Sequence, residues 1–99
     1  MLEIEELLFK MVSIPSVNST VGEIEVGKFI YEYLLKLRSL NGLSDENFLV
    51  FLQDLADDHL GRKNVIAVLK GRKGYSNNAI VFLGHFDTVD VEDYGSLRD

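Results

Sequence analysis

Three short apolar runs dominate the second half of the chain: Phe48 to Leu52, Val65 to Leu69 and Ala79 to Leu83. Each has the length of an ordinary strand. None alternates polar with apolar residues. A strand with one wet face shows a period of two, so unbroken runs imply strands covered on both faces, as in α/β sheets. The second run is rich in β-branched residues, which favours strand over helix. Gly71, Gly74 and Asn77-Asn78 mark the turn between the last two runs.

The first half reads as helix. Ile4, Leu7, Leu8 and Met11 fall at i, i+3, i+4 and i+7, one face of a helix. Glu3, Glu5 and Glu6 lie near its start, where the helix dipole favours negative charge. Pro15 ends it, because Ile14 before the proline is pushed out of the helical region. Ser13 to Thr20 is then a loop. Thr20-Val21-Gly22-Glu23 matches a capping box, in which hydroxyl and carboxylate satisfy orphan backbone donors. Val26, Phe29, Ile30, Tyr33, Leu34 and Leu37 continue as an apolar stripe. Asn41-Gly42 closes this second helix, since glycine tolerates the left-handed conformation there.

The order helix, helix, strand, strand, strand is an α/β layer arrangement. The expected sheet is largely parallel or mixed. Two helices can cover one face of three strands but hardly two. The expectation is therefore a truncated α/β domain with more chain following Asp99.

Composition narrows the partners. A chain of 99 residues, 46% apolar and 26% charged, suits one ordinary globular unit. Its net charge of −6 argues against nucleic acid, which needs clustered Lys and Arg. Arg62-Lys63 and Lys70 to Lys73 read as solvated loop ends. The absence of cysteine excludes disulfides and thiolate metal sites, so a metal would need imidazole and carboxylate. The acidic N-terminus is no secretory signal, and no apolar run approaches the ~20 residues of a membrane span. A cytoplasmic protein with no membrane partner is expected.

The segment that carries chemistry is Ala79-Ile80-Val81-Phe82-Leu83-Gly84-His85-Phe86-Asp87-Thr88-Val89. Ligand sites in open α/β sheets lie outside the carboxyl ends of strands. Gly84 would allow close approach of backbone or ligand. His85 and Asp87 are two apart and share one side of an extended chain. That suits a metal-ligating histidine whose other ring nitrogen is held by a carboxylate. The same residues also read as a strand-end cap followed by a turn.

Leu83-Gly84-His85-Phe86-Asp87-Thr88-Val89 resembles the first metal motif of a metallopeptidase family. That family includes aminoacylases, acetylornithine deacetylase, succinyl-diaminopimelate desuccinylase and glutamate carboxypeptidases. Met11 to Val17, Glu23 and the run Asn64 to Gly71 resemble other parts of the family's N-terminus. Asp90-Val91-Glu92-Asp93-Tyr94-Gly95 resembles the branch associated with arginine utilisation. The resemblance implies that residues 1–99 are the N-terminal portion of a catalytic domain, with no second domain present. It implies that His85 is a ligand to one of two catalytic zinc ions, and that Asp87, part of the catalytic machinery, orients it. Cobalt or manganese could replace zinc. The implied reaction is hydrolysis of amide or peptide bonds in small peptides or N-acyl amino acids. The metals would activate water, and a glutamate would act as general base. That glutamate and the other ligands of the family come later in its chains, so the present chain alone is expected to be inactive. Family members often add a smaller dimerisation domain, so the full-length form is expected to be a homodimer.

Other features carry less. His59 reads as a solvated loop histidine. Asp90, Glu92 and Asp93 lack the spacing of a calcium loop. Gly71-Arg72-Lys73-Gly74 lacks the spacing of a phosphate loop, and no serine elbow is present. Ser16 and Ser19 read as turn or cap residues. Phe29, Tyr31 and Tyr33 read as packing. The competing reading is a non-catalytic α/β module, or a gene fragment, that acts through partner binding at an open sheet edge.

Overall fold

The computed structural model describes residues 3–71 and 79–88. The elements run α1 (Ile4–Val12), α2 (Val21–Leu40), β1 (Phe48–Asp54) and β2 (Lys63–Leu69). The α/β arrangement is present. Gly74, Asn77-Asn78, Arg72-Lys73 and everything from Val89 to Asp99, including Asp90, Glu92 and Asp93, lie outside the described residues.

α1 stops three residues before Pro15, with Ser13 as its C-terminal cap. The Ser13 N–H donates to the Phe9 carbonyl at 3.0 Å and its hydroxyl to the Lys10 carbonyl at 2.7 Å. No residue of α1 is buried, so its apolar face finds no full cover among the described residues.

α2 begins differently from the expected capping box. The Thr20 hydroxyl donates to the Val17 carbonyl at 2.6 Å instead of capping the helix. Glu23 does reach back, but to the Ser19 N–H at 2.5 Å. Ser19 takes a positive φ of 65°, which turns its N–H toward that carboxylate. The loop in front of α2 therefore supplies its own acceptor for the hydroxyl, and only the carboxylate half of the box forms, one residue early. The C-terminus closes as a Schellman motif. The Leu43 N–H bonds the Arg38 carbonyl at 3.0 Å, and the Gly42 N–H bonds that of Ser39 at 3.1 Å. Gly42 has φ 64°, as that motif requires.

β1 and β2 pair antiparallel, with Phe48 opposite Leu69, Val50 opposite Ala67 and Asp54 opposite Lys63. Asn64 donates across the pair to the Gln53 side chain at 3.1 Å, and Lys63 bonds Asp54. α2 crosses one face of this pair. The small core forms there, around Val26, which is 1% exposed, and Val50. Leu49, Phe51 and Val68 are exposed on the pair. Cover on both faces, inferred from the unbroken apolar runs, is therefore absent among the described residues. One helix can shield only one side of a sheet.

The third run, Ala79 to Leu83, forms no strand, contrary to expectation. A strand exists only when a neighbour takes its backbone hydrogen bonds, and no described strand lies beside this run. Its side chains are almost fully exposed, Phe82 at 93% and Leu83 at 98%. Among the described residues, the expected parallel or mixed sheet is replaced by an antiparallel pair and one isolated parallel bridge, Val17 to Thr88. No helix among the described residues is long and apolar enough to cross a membrane.

Candidate functional site

The segment around His85 is held by the loop before α2. Ser16 is 5% exposed, and its hydroxyl donates to the Phe86 carbonyl at 2.7 Å. The Thr88 N–H donates to the Ser16 carbonyl, and the Asn18 N–H to the Thr88 carbonyl, each at 2.9 Å. Phe86 packs on α2, where a Cβ at Gly27 would lie 3.3 Å from its ring. Successive side chains of an extended segment alternate sides. With Phe86 turned to the helix, His85 and Asp87 fall together on the other side.

They meet there. His85 Nδ1 lies 2.9 Å from Asp87 Oδ1 and 3.3 Å from the Asp87 carbonyl. The Asn18 side-chain amide donates to Asp87 Oδ2 at 2.7 Å. The Asn18 amide holds the Asp87 carboxyl below the ordinary carboxylate range, and the His85 ring adds to this against partial desolvation. The His85 side chain is 84% exposed, and its Nε2 makes no hydrogen bond among the described residues. A neutral imidazole that gives its Nδ1–H to a carboxylate keeps its Nε2 lone pair outward. That is the form that ligates metals.

Asn18 is itself anchored. Its side-chain oxygen accepts the Ser19 hydroxyl at 2.7 Å, while the Ser19 N–H is held by Glu23. Glu23 also takes an Arg62 N–H at 3.2 Å. Arg62 grips Asp58 with two parallel bonds, Nε to Oδ2 at 3.0 Å and Nη2 to Oδ1 at 3.1 Å. The Arg62 backbone N–H adds a third bond at 2.8 Å. The Arg62 guanidinium holds the Asp58 carboxyl down to about 2, and Asp58 in turn raises Arg62 above its usual range. Arg62 is thus no solvated loop end, as its place in a basic pair suggested. It ties the β1–β2 loop to the first turn of α2.

Ser16 also departs from its reading as a turn residue, being a buried strut between two distant segments. His59 is exposed and takes no part. Gly84, expected to permit a close approach, has open space around it. Asn18, Ser16 and Arg62 were not legible as site residues, because their partners lie far away in the chain. A groove of about 300 Å³ between Lys10 and the Phe29, Tyr33 and Leu37 side chains excludes His85 and Asp87. The Phe29 and Tyr33 rings stack with centroids 6.5 Å apart, which fits their reading as packing.

The donor set fits one arm of a metal site: an imidazole nitrogen with a supporting carboxylate. No group of three or more His, Cys, Asp or Glu side chains among the described residues could enclose an ion.

An α/β scaffold presenting a carboxylate-held histidine beside the loop that leads into α2 is the class that this geometry defines. No protein-family model matches the chain. It is 38% identical over 96 residues to Protein RocB of Bacillus subtilis (strain 168), covering 97% of this chain and 16% of RocB. It is 29% identical over 96 residues to the uncharacterized protein YqjN of the same organism, with the same coverage. The chain therefore spans only 16% of the length of the curated relatives it matches. No solved structure matches.

Proposed function

We propose that residues 1–99 are the N-terminal portion of the catalytic domain of a zinc-dependent hydrolase of amide or peptide bonds. His85 is a metal ligand through Nε2, and Asp87 orients it. The observation that carries this reading is the 2.9 Å bond from His85 Nδ1 to Asp87 Oδ1, with Nε2 left uncommitted among the described residues. The similarity to RocB along almost the whole chain supports common descent with a larger protein. The metal-motif resemblance supports the chemistry. It also points to small peptides or N-acyl amino acids as substrates and to a role in arginine utilisation.

Bound zinc would supply Lewis acidity, acidifying a water and polarising a scissile carbonyl. The chain's own residues prepare for this. Asp87 keeps the His85 proton on Nδ1 and makes Nε2 a better donor. Asn18 holds Asp87, and Ser16 fixes the segment that carries both. None of these is a general base for water, so the 99-residue chain is expected to show no hydrolysis by itself.

Zinc titration of the chain, followed on the ring nitrogens of its two histidines, tests the assignment. The His85 Nε2 signal should move and His59 should not, and His85→Ala should abolish the specific response. A zinc response that survives His85→Ala would remove His85 from the site. A protein carrying the whole domain should bind about two zinc equivalents per chain.

The exposed run from Ile80 to Leu83 favours a second reading, in which the chain acts by pairing that run with a strand of a partner. A cooperatively unfolding chain that binds no zinc would support it.

A further inference from the structure

We propose that Asn18 is the positioning residue of the His85–Asp87 pair. Its side-chain amide fixes the Asp87 carboxylate so that the remaining oxygen selects the Nδ1–H form of His85. The benefit to a cation rests on the functional reading above, whereas the choice of tautomer does not.

A carboxylate on a single Cα–Cβ–Cγ link can rotate and offer either oxygen in several directions. Here one oxygen is already taken. Asn18 Nδ2 donates to Oδ2 at 2.7 Å, which leaves Oδ1 for His85 Nδ1 at 2.9 Å. The Asn18 amide cannot usefully flip. The ionised Asp87 carboxylate only accepts, so the Asn18 nitrogen must face it, and the Asn18 oxygen is left to accept the Ser19 hydroxyl at 2.7 Å. The Asn18 backbone is fixed as well, its N–H bonded to the Thr88 carbonyl at 2.9 Å. The same residue is therefore bonded through backbone and side chain to two neighbouring residues of the segment it serves. Ser16 cannot substitute, because its hydroxyl is committed to the Phe86 carbonyl.

Asn18 is placed in turn by the first turn of α2. Glu23 holds the Ser19 N–H and is held by Arg62, which is clamped by Asp58. The β1–β2 loop is thus linked by side chains to the residue that holds the Asp87 carboxylate. Because His85 is largely exposed, water competes for its ring nitrogens. The expected effect is accordingly about fivefold in the tautomer ratio, the size of one net hydrogen bond.

The test uses the ¹⁵N-labelled 99-residue chain and long-range proton–nitrogen correlation at pH about 8.5, above the ordinary histidine range. His59 serves as internal reference. In the unmodified chain His85 should be mainly the Nδ1–H tautomer. Asn18→Leu should shift it about fivefold toward Nε2–H, with His59 and the backbone spectrum unchanged. Asn18→Asp keeps the shape but replaces the donor with an acceptor, and it should give the same loss. A mainly Nε2–H His85 in the unmodified chain overturns the proposal whether or not the variants fold. An unchanged ratio in folded Asn18→Leu or Asn18→Asp also overturns it.

Zinc added to the same samples separates the two readings. The expected tautomers without any zinc shift at His85, in this chain and in a protein carrying the whole domain, would leave Asn18 as positioning residue and defeat the metal assignment. A zinc shift at His85 together with an unchanged tautomer ratio in Asn18→Leu would keep the metal assignment and defeat the role of Asn18.

Discussion

The α-carbon of Gly22 approaches the Pro15 carbonyl so closely that a Cβ built there would sit 1.5 Å from its oxygen. The obstacle is backbone, which cannot swing aside as a side chain can. Gly22→Ala must push the first turn of α2 away from the loop that carries Ser16 and Asn18. Alanine gains about 1 kcal/mol of helix propensity. Overpacking typically costs about 1–3 kcal/mol, and contact with fixed backbone belongs at the upper end. A net loss of about 2 kcal/mol is expected in urea unfolding, together with loss of the His85 Nδ1–H signal. Increased stability would mean that the loop and helix do not touch in solution. Gly84→Ala is the control, since open space surrounds Gly84 and the change should stay within about 0.5 kcal/mol.

The helices and the first two strands could be read from the chain because their signals are local. The stripe from Val26 to Leu37 and the Asn41-Gly42 stop lie within α2 and its cap. The runs at Phe48 and Val65 form the strands that their length, and in the second its β-branching, suggested, though they pair antiparallel. The run from Ala79 to Leu83 has the same local signal and forms no strand, because pairing depends on a neighbour and not on the run itself. The His85–Asp87 contact was legible from a spacing of two. The Asn18 bond was not, since 69 positions separate it from Asp87 and no short-range pattern joins them.

Asp58 makes stability depend on pH in a defined sense. Its carboxyl is held at about 2 in the folded chain, against an ordinary 3.8. A depressed folded value means that the stabilisation is fully present above the unfolded value. It is lost as pH falls toward the folded one. Stability should therefore decline between about pH 4 and about pH 2. Asp58→Asn should remove most of that slope and lower stability at neutral pH. Thermal unfolding across this range checks it. Asp87 is shifted in the same sense by Asn18, so some slope should remain. An unchanged profile in Asp58→Asn would mean that the Arg62 clamp does not form.

Two valines of α2 should respond very unequally. Val26 is 1% exposed in the contact between the helix and the strand pair. Truncation to alanine removes buried methyl groups and leaves a void, at about 2 kcal/mol. Val21 is exposed in the first turn, so Val21→Ala should change stability by no more than about 0.5 kcal/mol. Denaturant midpoints at constant m-value measure both. Equal losses would show that α2 is not seated on β1 and β2 by this face.

The run Ile80 to Leu83 should make copies of the chain associate. Ile80, Val81, Phe82 and Leu83 are all exposed and contiguous, whereas scattered exposed apolar residues are normal on a protein surface. The backbone of the run, unpaired among the described residues, adds donors and acceptors to the same stretch. Light scattering or sedimentation should show an average mass above 11.2 kDa that rises with concentration. The double change Phe82→Ser with Leu83→Ser should bring it down toward that value. Serine is the informative choice, because the chain already carries a net charge of −6. Added acidic residues would separate copies by repulsion alone. Circular dichroism should stay the same, since neither position belongs to a helix or strand. A monomer at every concentration before substitution, or association undiminished after it, would place the sticky surface elsewhere. The apolar face of α1, with Ile4 and Leu8 exposed, would then be the next to alter.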